Sequence, residues 1–256
     1  MNHSLPNVSF GRENNRKLDC FLYPMIIIAC FTVLHKSEKG VCAMPQEAGS
    51  RRKVRAAALV AGDGAMLQAI LDSMYFKELP NFELVAVISP EKGVYAMTRA
   101  LNAGVPAYVV DPELFPTMTS HSMAVANKLR DMDIELVILA GYDLPLGVIP
   151  YQFKNAIIGT FPALYPAFED EEGDIQRAVL ERGLKVTGAT AYFADQDGRV
   201  GGIILQKAVD VLPGDDPESL RRRVTEEAEW KLLSQAVALY CAGKLKIRGR
   251  RVVIGD

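Results

Sequence analysis

The sequence predicts an α/β fold in which a mostly parallel central sheet carries helices on both faces and an antiparallel strand pair lies toward the C-terminus. Two observations carry this reading. From Arg55 to Ala140, short continuously apolar runs alternate with stretches of helical apolar spacing, as expected where strands are buried on both faces by crossover helices. Downstream, Val186 to Asp195 reads as one strand and Ile203 to Val211 as its partner, with Asp195-Gln196-Asp197-Gly198 between them. Turn residues at that point favour antiparallel pairing.

In chain order, Arg55 to Ala61 is an apolar strand closed by Gly62-Asp63-Gly64, and Ala65 to Phe76 places Met66, Leu67, Ile70, Leu71 and Met74 at helical spacing. Phe82 to Ser89 is a second buried strand, Val94 to Asn102 a helix closed by Gly104, and Pro106 to Val110 a third strand. A helix over Met118 to Met132 leads into a fourth strand at Glu135 to Ala140, then a short one at Ala156 to Thr160 and a helix at Asp174 to Glu181. Right-handed crossovers return each strand parallel to the last. After the antiparallel pair, Asp216 as N-cap and Pro217 in the first turn open a long helix to about Tyr240, stopped by Gly243. Lys246 to Ile254 reads as a last, basic, exposed strand.

Composition narrows the function classes. The 256 residues are 49% hydrophobic and 23% charged, which suits a globular chain with a sizeable core. Twenty-nine basic against thirty-one acidic residues give a net charge of −2, so no basic surface is available for a phosphate backbone, and nucleic acid is not an expected partner. Cys20, Cys30 and Cys42 precede the main body, which holds only Cys241. A lone cysteine makes neither a disulfide framework nor a cysteine zinc site, so a reduced, cytoplasmic domain is expected. His3, His35 and His121 are the histidines, with none from Ser122 onward.

Residues 1–43 differ from the rest. Arg12, Arg16 and Lys17 precede the apolar stretch Phe21 to Leu34, a charged run and Val41-Cys42-Ala43, which resembles an export signal. The stretch is short of the roughly 20 apolar residues of a spanning helix. Our reading is an N-terminal extension, disordered or upstream of a true start at Met44, with export signal and membrane anchor as alternatives. Residues 44–256 read as one domain.

Seven segments carry a family resemblance: GDGAMLQAI (Gly62 to Ile70), VILAGYDLPL (Val137 to Leu146), FPALYP (Phe161 to Pro166), KVTGATAYF (Lys185 to Phe193), GGIILQKAV (Gly201 to Val209), LPGDDPESL (Leu212 to Leu220) and EEAEWKLL (Glu226 to Leu233). In order and spacing they resemble the phosphoribosylglycinamide formyltransferases of folate-dependent purine synthesis. The resemblance implies a formyltransferase-like, Rossmann-type fold and, as co-substrate, 10-formyltetrahydrofolate, whose formyl carbon is attacked by the amine of glycinamide ribonucleotide. Negative charge then develops on the formyl oxygen and a proton leaves the nitrogen, so such a site needs oxyanion donors and a proton acceptor.

The family supplies these groups from an Asn-x-His-Pro motif and an Asp before Gly-Gly. Here the Asn position falls on Gly159, the His position on Phe161 before Pro162, and the Asp position on Val200 before Gly201-Gly202. None of the three side chains can donate to an oxyanion or titrate. If each loss costs about 10²-fold, the combined loss is at least roughly 10⁴-fold, with strong non-additivity. The resemblance therefore implies a catalytically degenerate member kept as a ligand-binding or interaction module. The alternative is active transfer through displaced groups such as Asp197, Asp143 or backbone donors.

The remaining site residues also follow from the resemblance. Gly62, Asp63, Gly64, Ala65 and Met66 fall on the turn that cradles the ribose phosphate at a helix N-terminus. Asp63 would add a repulsive charge there. Glu229 falls on the glutamate that contacts the glycinamide substrate, its plainer reading being an exposed acid on an amphipathic helix. Tyr142, Asp143, Leu144, Pro145 and Leu146 fall on the segment against the pterin. Asp195 and Asp197 fall on the loop that encloses it. His121 reads as a surface residue, Trp230 as packing, and Glu169, Asp170, Glu171, Glu172 and Asp174 as a solvated loop and helix start with no metal site.

Overall fold

The computed structural model describes residues 52–171, 173–249 and 251–255. The expected extension, 1–43, and Glu172 of the acidic run lie outside the described residues. The chain alternates strand and helix as β1 (Val54–Val60), α1 (Ala65–Tyr75), β2 (Phe82–Ser89), α2 (Tyr95–Asn102), β3 (Ala107–Val109), α3 (Met118–Asp131), β4 (Leu136–Ala140), α4 (Ile149–Gln152) and β5 (Ile157–Phe161). Then follow α5 (Ile175–Glu181), β6 (Val186–Ala194), β7 (Val200–Asp210), α6 (Pro217–Val224), α7 (Trp230–Cys241), β8 (Leu245–Arg248) and β9 (Arg251–Ile254). One sheet runs β3-β2-β1-β4-β5-β6-β7-β9-β8. β3 to β5 are parallel, while β5, β6 and β7 pair antiparallel.

Alternation along the strands divides the core into two layers. Ala56, Ala58 and Val60 face a cluster with Leu67 and Ile70 of α1, Ala100 of α2, Val179 of α5, Leu220 of α6 and Leu233 of α7. Ala57 and Leu59 face a second cluster with Val125 and Leu129 of α3 and Ile149 of α4. Leu59, Leu67, Ile70 and Leu129 are wholly buried, and truncating such a residue to Ala costs about 2–5 kcal/mol.

Four features depart from the sequence reading. The expected last strand, Lys246 to Ile254, is a hairpin of β8 and β9, turned at Gly249 with φ of 62°, where the absence of a Cβ permits the left-handed backbone. The strand expected from Ile203 begins at Val200. The long helix is interrupted by a π-helical turn, Thr225–Glu229, between α6 and α7. Its cause is visible in the buried positions Leu220, Val224, Ala228, Leu232 and Ala236: they recur every four residues, more than the 3.6 of a regular helix, and one wide turn keeps all of them on the core. His121, expected at the surface, is 1% exposed and its Nε2 lies 2.8 Å from the Val110 carbonyl oxygen. One turn into α3 it faces β3, a placement its sequence neighbours do not encode.

Candidate functional site

Parallel neighbours β1, β4 and β5 bring three of the expected segments to one edge of the sheet. The turn Gly62 to Met66 follows β1, Tyr142 to Leu146 follows β4, and Thr160-Phe161 ends β5. The C-terminal edge of parallel strands is where open α/β sheets hold their ligands.

At the β1 turn, Gly62 and Gly64 have φ of 61° and 73°. A Cβ on Gly64 would lie 2.7 Å from Cα and Cβ of Ala96, so α1 and α2 meet there only because the residue is glycine. Asp63 turns its carboxylate onto the helix end, Oδ1 accepting from the Ala65 N–H at 3.0 Å. A donor that an incoming phosphate would use is thus already engaged. Arg99 holds the turn from α2, its Nε donating to the Asp63 carbonyl at 2.9 Å and Nη1 to Gln68 Oε1 at 2.8 Å. Met66 is half-buried and packs on the core cluster.

On β5 the pleat sends Gly159 and Phe161 to one face and Thr160 to the other. Gly159 opposes Tyr192 and Phe161 opposes Thr190 on β6. A Cβ on Gly159 would lie 3.1 Å from the Tyr192 hydroxyl, 3.2 Å from its Cζ and 3.2 Å from Leu139 Cδ1. The phenol therefore occupies the space a side chain at 159 would need. Burial first, then the charges of Asp195 and Glu229, pushes the Tyr192 hydroxyl up to about 12. Phe161 meets the Tyr165 ring edge-on, 5.9 Å between centroids. Val200 opposes Ala194, four positions along β6 from Thr190 and so roughly 13 Å further down the strand. Gly159, opposite Tyr192, is only two positions along β6 from the partner of Val200, so the offset of Val200 is large from Phe161 and about half as large from Gly159.

The opposite face of β5 holds Glu229. Thr160 Oγ1 donates to its Oε1 at 2.9 Å and Thr225 Oγ1 to its Oε2 at 2.8 Å. Desolvation raises the pKa of Glu229 against the opposing effect of these two hydroxyls. It is not the exposed helical acid of the plainer reading, because the π-helical turn rotates it toward the sheet. A cavity of about 360 Å³ opens beside it, lined among others by Pro162, Gln176, Arg221 and Thr225. Gln176 is 1% exposed and donates from Nε2 to the Pro162 carbonyl at 2.8 Å, while its Oε1 has no partner among the described residues.

The segments expected on the pterin side do meet. Leu146 is buried, and a Cβ on Gly198 would lie 3.2 Å from its Cβ, so the Asp195 to Val200 loop rests on Leu146. Tyr142, Tyr192 and Leu139 pack on the same apolar cluster. Burial, then the neighbouring Asp143, pushes the Tyr142 hydroxyl up to about 12. Asp143 and Pro145 are exposed and Leu144 is half-buried. Asp195 Oδ1 accepts from the N–H groups of Asp197 and Arg199, each at 2.9 Å, closing its own turn. Asp197 is exposed at the tip.

A family model described as formyl transferase matches residues 54–237. The chain belongs to the formyl transferase family. It is 40% identical in sequence to a glycinamide ribonucleotide transformylase of Symbiobacterium toebii, with a TM-score of 0.75 over 80% of this chain and 95% of that one. A phosphoribosylglycinamide formyltransferase of Mycobacterium tuberculosis is 31% identical over 78% of this chain and 94% of its own length. A trifunctional purine biosynthetic protein of Gallus gallus is 34% identical over 76% of this chain, and the chain spans 19% of that larger protein.

As a formyl transferase family chain, it has the family's α/β architecture with its antiparallel C-terminal strands. Thr160, Tyr192 and Gln176, three groups the geometry brings forward, are not singled out by the sequence. Their signal is pairing: Tyr192 opposes Gly159 on the next strand, while Thr160 and Gln176 gain meaning only from the helices packed beside them. Among the described residues, no group of His, Cys, Asp and Glu is arranged to hold a metal, and no helix is long and apolar enough to cross a membrane. Three acids of the run have side-chain partners among the described residues. Asp174 caps α5 and bonds Arg221 at 2.5 Å, Glu171 bonds Arg182 at 2.7 Å, and Tyr165 bonds Glu169.

Proposed function

We propose that this chain is a cytoplasmic, catalytically degenerate member of the formyl transferase family that binds a folate-type small molecule without carrying out the family's formyl transfer. The observation that carries the reading is the Tyr192 phenol lying over Gly159, where the resemblance calls for an Asn side chain. A phenylalanine at 161 cannot shuttle a proton, and valine at 200 cannot hold a charged partner. Asp63 argues against a bound ribose phosphate by charge and by its hold on the Ala65 N–H.

The folate side supports retained binding. Tyr142, Tyr192 and Leu139 pack on the apolar cluster that holds Leu146 and stay partly exposed, and an apolar surface of this kind suits the flat ring of 10-formyltetrahydrofolate. That co-substrate, when bound, would supply the formyl group. The chain's own part is to set the ring against the partly exposed Tyr142 and Tyr192, beside the Asp195 to Val200 loop. Residues 44–256 act as the single binding domain.

A second reading, transfer through displaced groups, draws support from Glu229, a buried acid with raised pKa beside the end of β5. Incubating the full chain with 10-formyltetrahydrofolate and glycinamide ribonucleotide, with recovery of the bound folate, separates the two. Folate retained and chemically unchanged supports the binding module. Formylated glycinamide ribonucleotide, lost in Asp197→Asn or Glu229→Gln, overturns it.

A further inference from the structure

We propose that the open edge of β8 is a docking surface for an extended acidic segment of a partner protein, which joins the sheet as an added antiparallel strand. The surface lies on the last hairpin, at the far end of the sheet from β3 and separated from β5 by β6, β7 and β9. It stands whether or not a folate binds.

Three observations meet on this hairpin. β8 ends the sheet and pairs with β9 alone. The Gly255 N–H donates to the Lys244 carbonyl at 2.8 Å. Because bonded positions alternate along an antiparallel ladder, Lys244, Lys246 and Arg248 turn their main chain toward β9, while Leu245 and Ile247 turn theirs outward. Among the described residues those outward groups have no partner. The side chains sort the hairpin by face: Leu245, Ile247 and Val252 pack on the core, and exposed Lys244, Lys246, Arg248 and Arg251 share the other face. None of these four cations has an ion pair among the described residues. The opposite edge of the sheet is closed by contrast, since β3 is three residues long and α3 lies against it, with Lys128 Nζ 3.7 Å from the centroid of the Tyr108 ring.

An incoming strand completes the bonds of Leu245 and Ile247 and sends its side chains alternately to the two faces. Acidic residues then meet the cations, and β-branched residues extend the half-buried row of Leu245 and Ile247. A second copy of this chain fits poorly. Every antiparallel register that joins Leu245 or Ile247 to its counterpart sets cation opposite cation, so the charges that discourage self-pairing also select an acidic strand. A phosphate backbone would meet the charge but leave the outward carbonyls and the apolar row unmatched.

The test is fluorescence anisotropy of a labelled peptide alternating Glu and Val, titrated with the full chain at about 50 and about 300 mM salt. Hydrogen exchange of the Leu245 and Ile247 amides is followed by NMR. The expected binding weakens roughly fivefold or more at the higher salt and roughly tenfold or more in the double variant Lys246→Glu, Arg248→Glu. Both side chains are exposed, and a melting curve checks that the variant folds. N-methylation of the peptide valines, whose N–H groups face β8, should abolish binding, and the unmodified peptide should slow exchange at both amides. No binding, equal binding of a peptide alternating Lys and Val, or binding that survives N-methylation or charge reversal overturns the proposal. Oligothymidylate bound more tightly than the peptide overturns it in favour of nucleic acid, and self-association of the full chain that protects the same amides overturns it in favour of a second copy.

Discussion

The Thr160 hydroxyl donates to Oε1 of Glu229 at 2.9 Å, tying the end of β5 to the π-helical turn. The carboxyl is pressed between strand and helix, and desolvation raises its pKa above that of the unfolded chain. The native state thus favours the protonated form. Its stabilising contribution is complete below about pH 4.5, the unfolded value, and is lost as pH rises through the folded value. Glu229→Gln removes the buried charge and keeps a bond to each threonine. The variant should be more stable than wild type at pH 7.5 by about 1 kcal/mol, a melting rise of about 2–4 °C, with the gap closing near pH 4. Thermal denaturation at the two pH values checks this.

Asp215 and Arg223 show the opposite sign. Arg223 reaches both carboxylate oxygens at 2.5 and 2.7 Å, and Leu212 N–H donates to Oδ2 at 2.7 Å. The arginine bond, ahead of the other contacts, lowers the Asp215 pKa to about 2. This stability is present above the ordinary carboxylate value and lost as pH falls from about 4 toward 2. Asp215→Ala should cost about 2–3 kcal/mol at pH 7, a melting fall of about 4–12 °C, and much less at pH 2.

Tyr192 and Gly159 should couple in stability. Gly159→Asn forces a side chain against the phenol and Leu139 and should destabilise by about 1–3 kcal/mol. Tyr192→Ala opens that space, so the double variant should be more stable than the sum of the two single losses allows, by about 1 kcal/mol or more. Urea melts of the four proteins give the coupling. Simple additivity would place the phenol elsewhere.

Asp63 should set the affinity of the first turn for phosphate. Asp63→Ala frees the Ala65 N–H and removes a negative charge, so ribose 5-phosphate should bind about fivefold to tenfold more tightly at low salt. The gain should shrink as salt screens the charge. Calorimetric titration at two ionic strengths reads both effects.

Much of the fold is legible because its cause is local. Buried strands such as Leu136–Ala140 and the Asp216-Pro217 helix start appear where apolar runs and capping residues place them. The sequence also carries the four-residue repeat from Leu220 to Ala236, although the wide turn it produces becomes plain only when the core is seen to demand every member. The site is less legible. That Gly159 and Phe161 lack the family's chemistry is evident from their identities, but what fills the gap depends on the register of β5 with β6, which brings Tyr192 over the glycine. His121 looks like a surface residue along the chain, and the sequence leaves Glu229 between a substrate contact and an exposed helical acid, yet β3 and the wide turn draw both inward through contacts distant in sequence.

The most direct measurement is a single turnover with the full chain in molar excess over glycinamide ribonucleotide and ¹⁴C-formyl-labelled 10-formyltetrahydrofolate, followed by counting label in the ribonucleotide. Excess protein removes slow product release as a cause of low rate and reports the chemistry alone. The account predicts transfer no faster than without protein, while labelled folate remains bound. Label passing to the amine within minutes, in proportion to the protein present, would contradict it and show a formyl-transfer centre assembled from other groups.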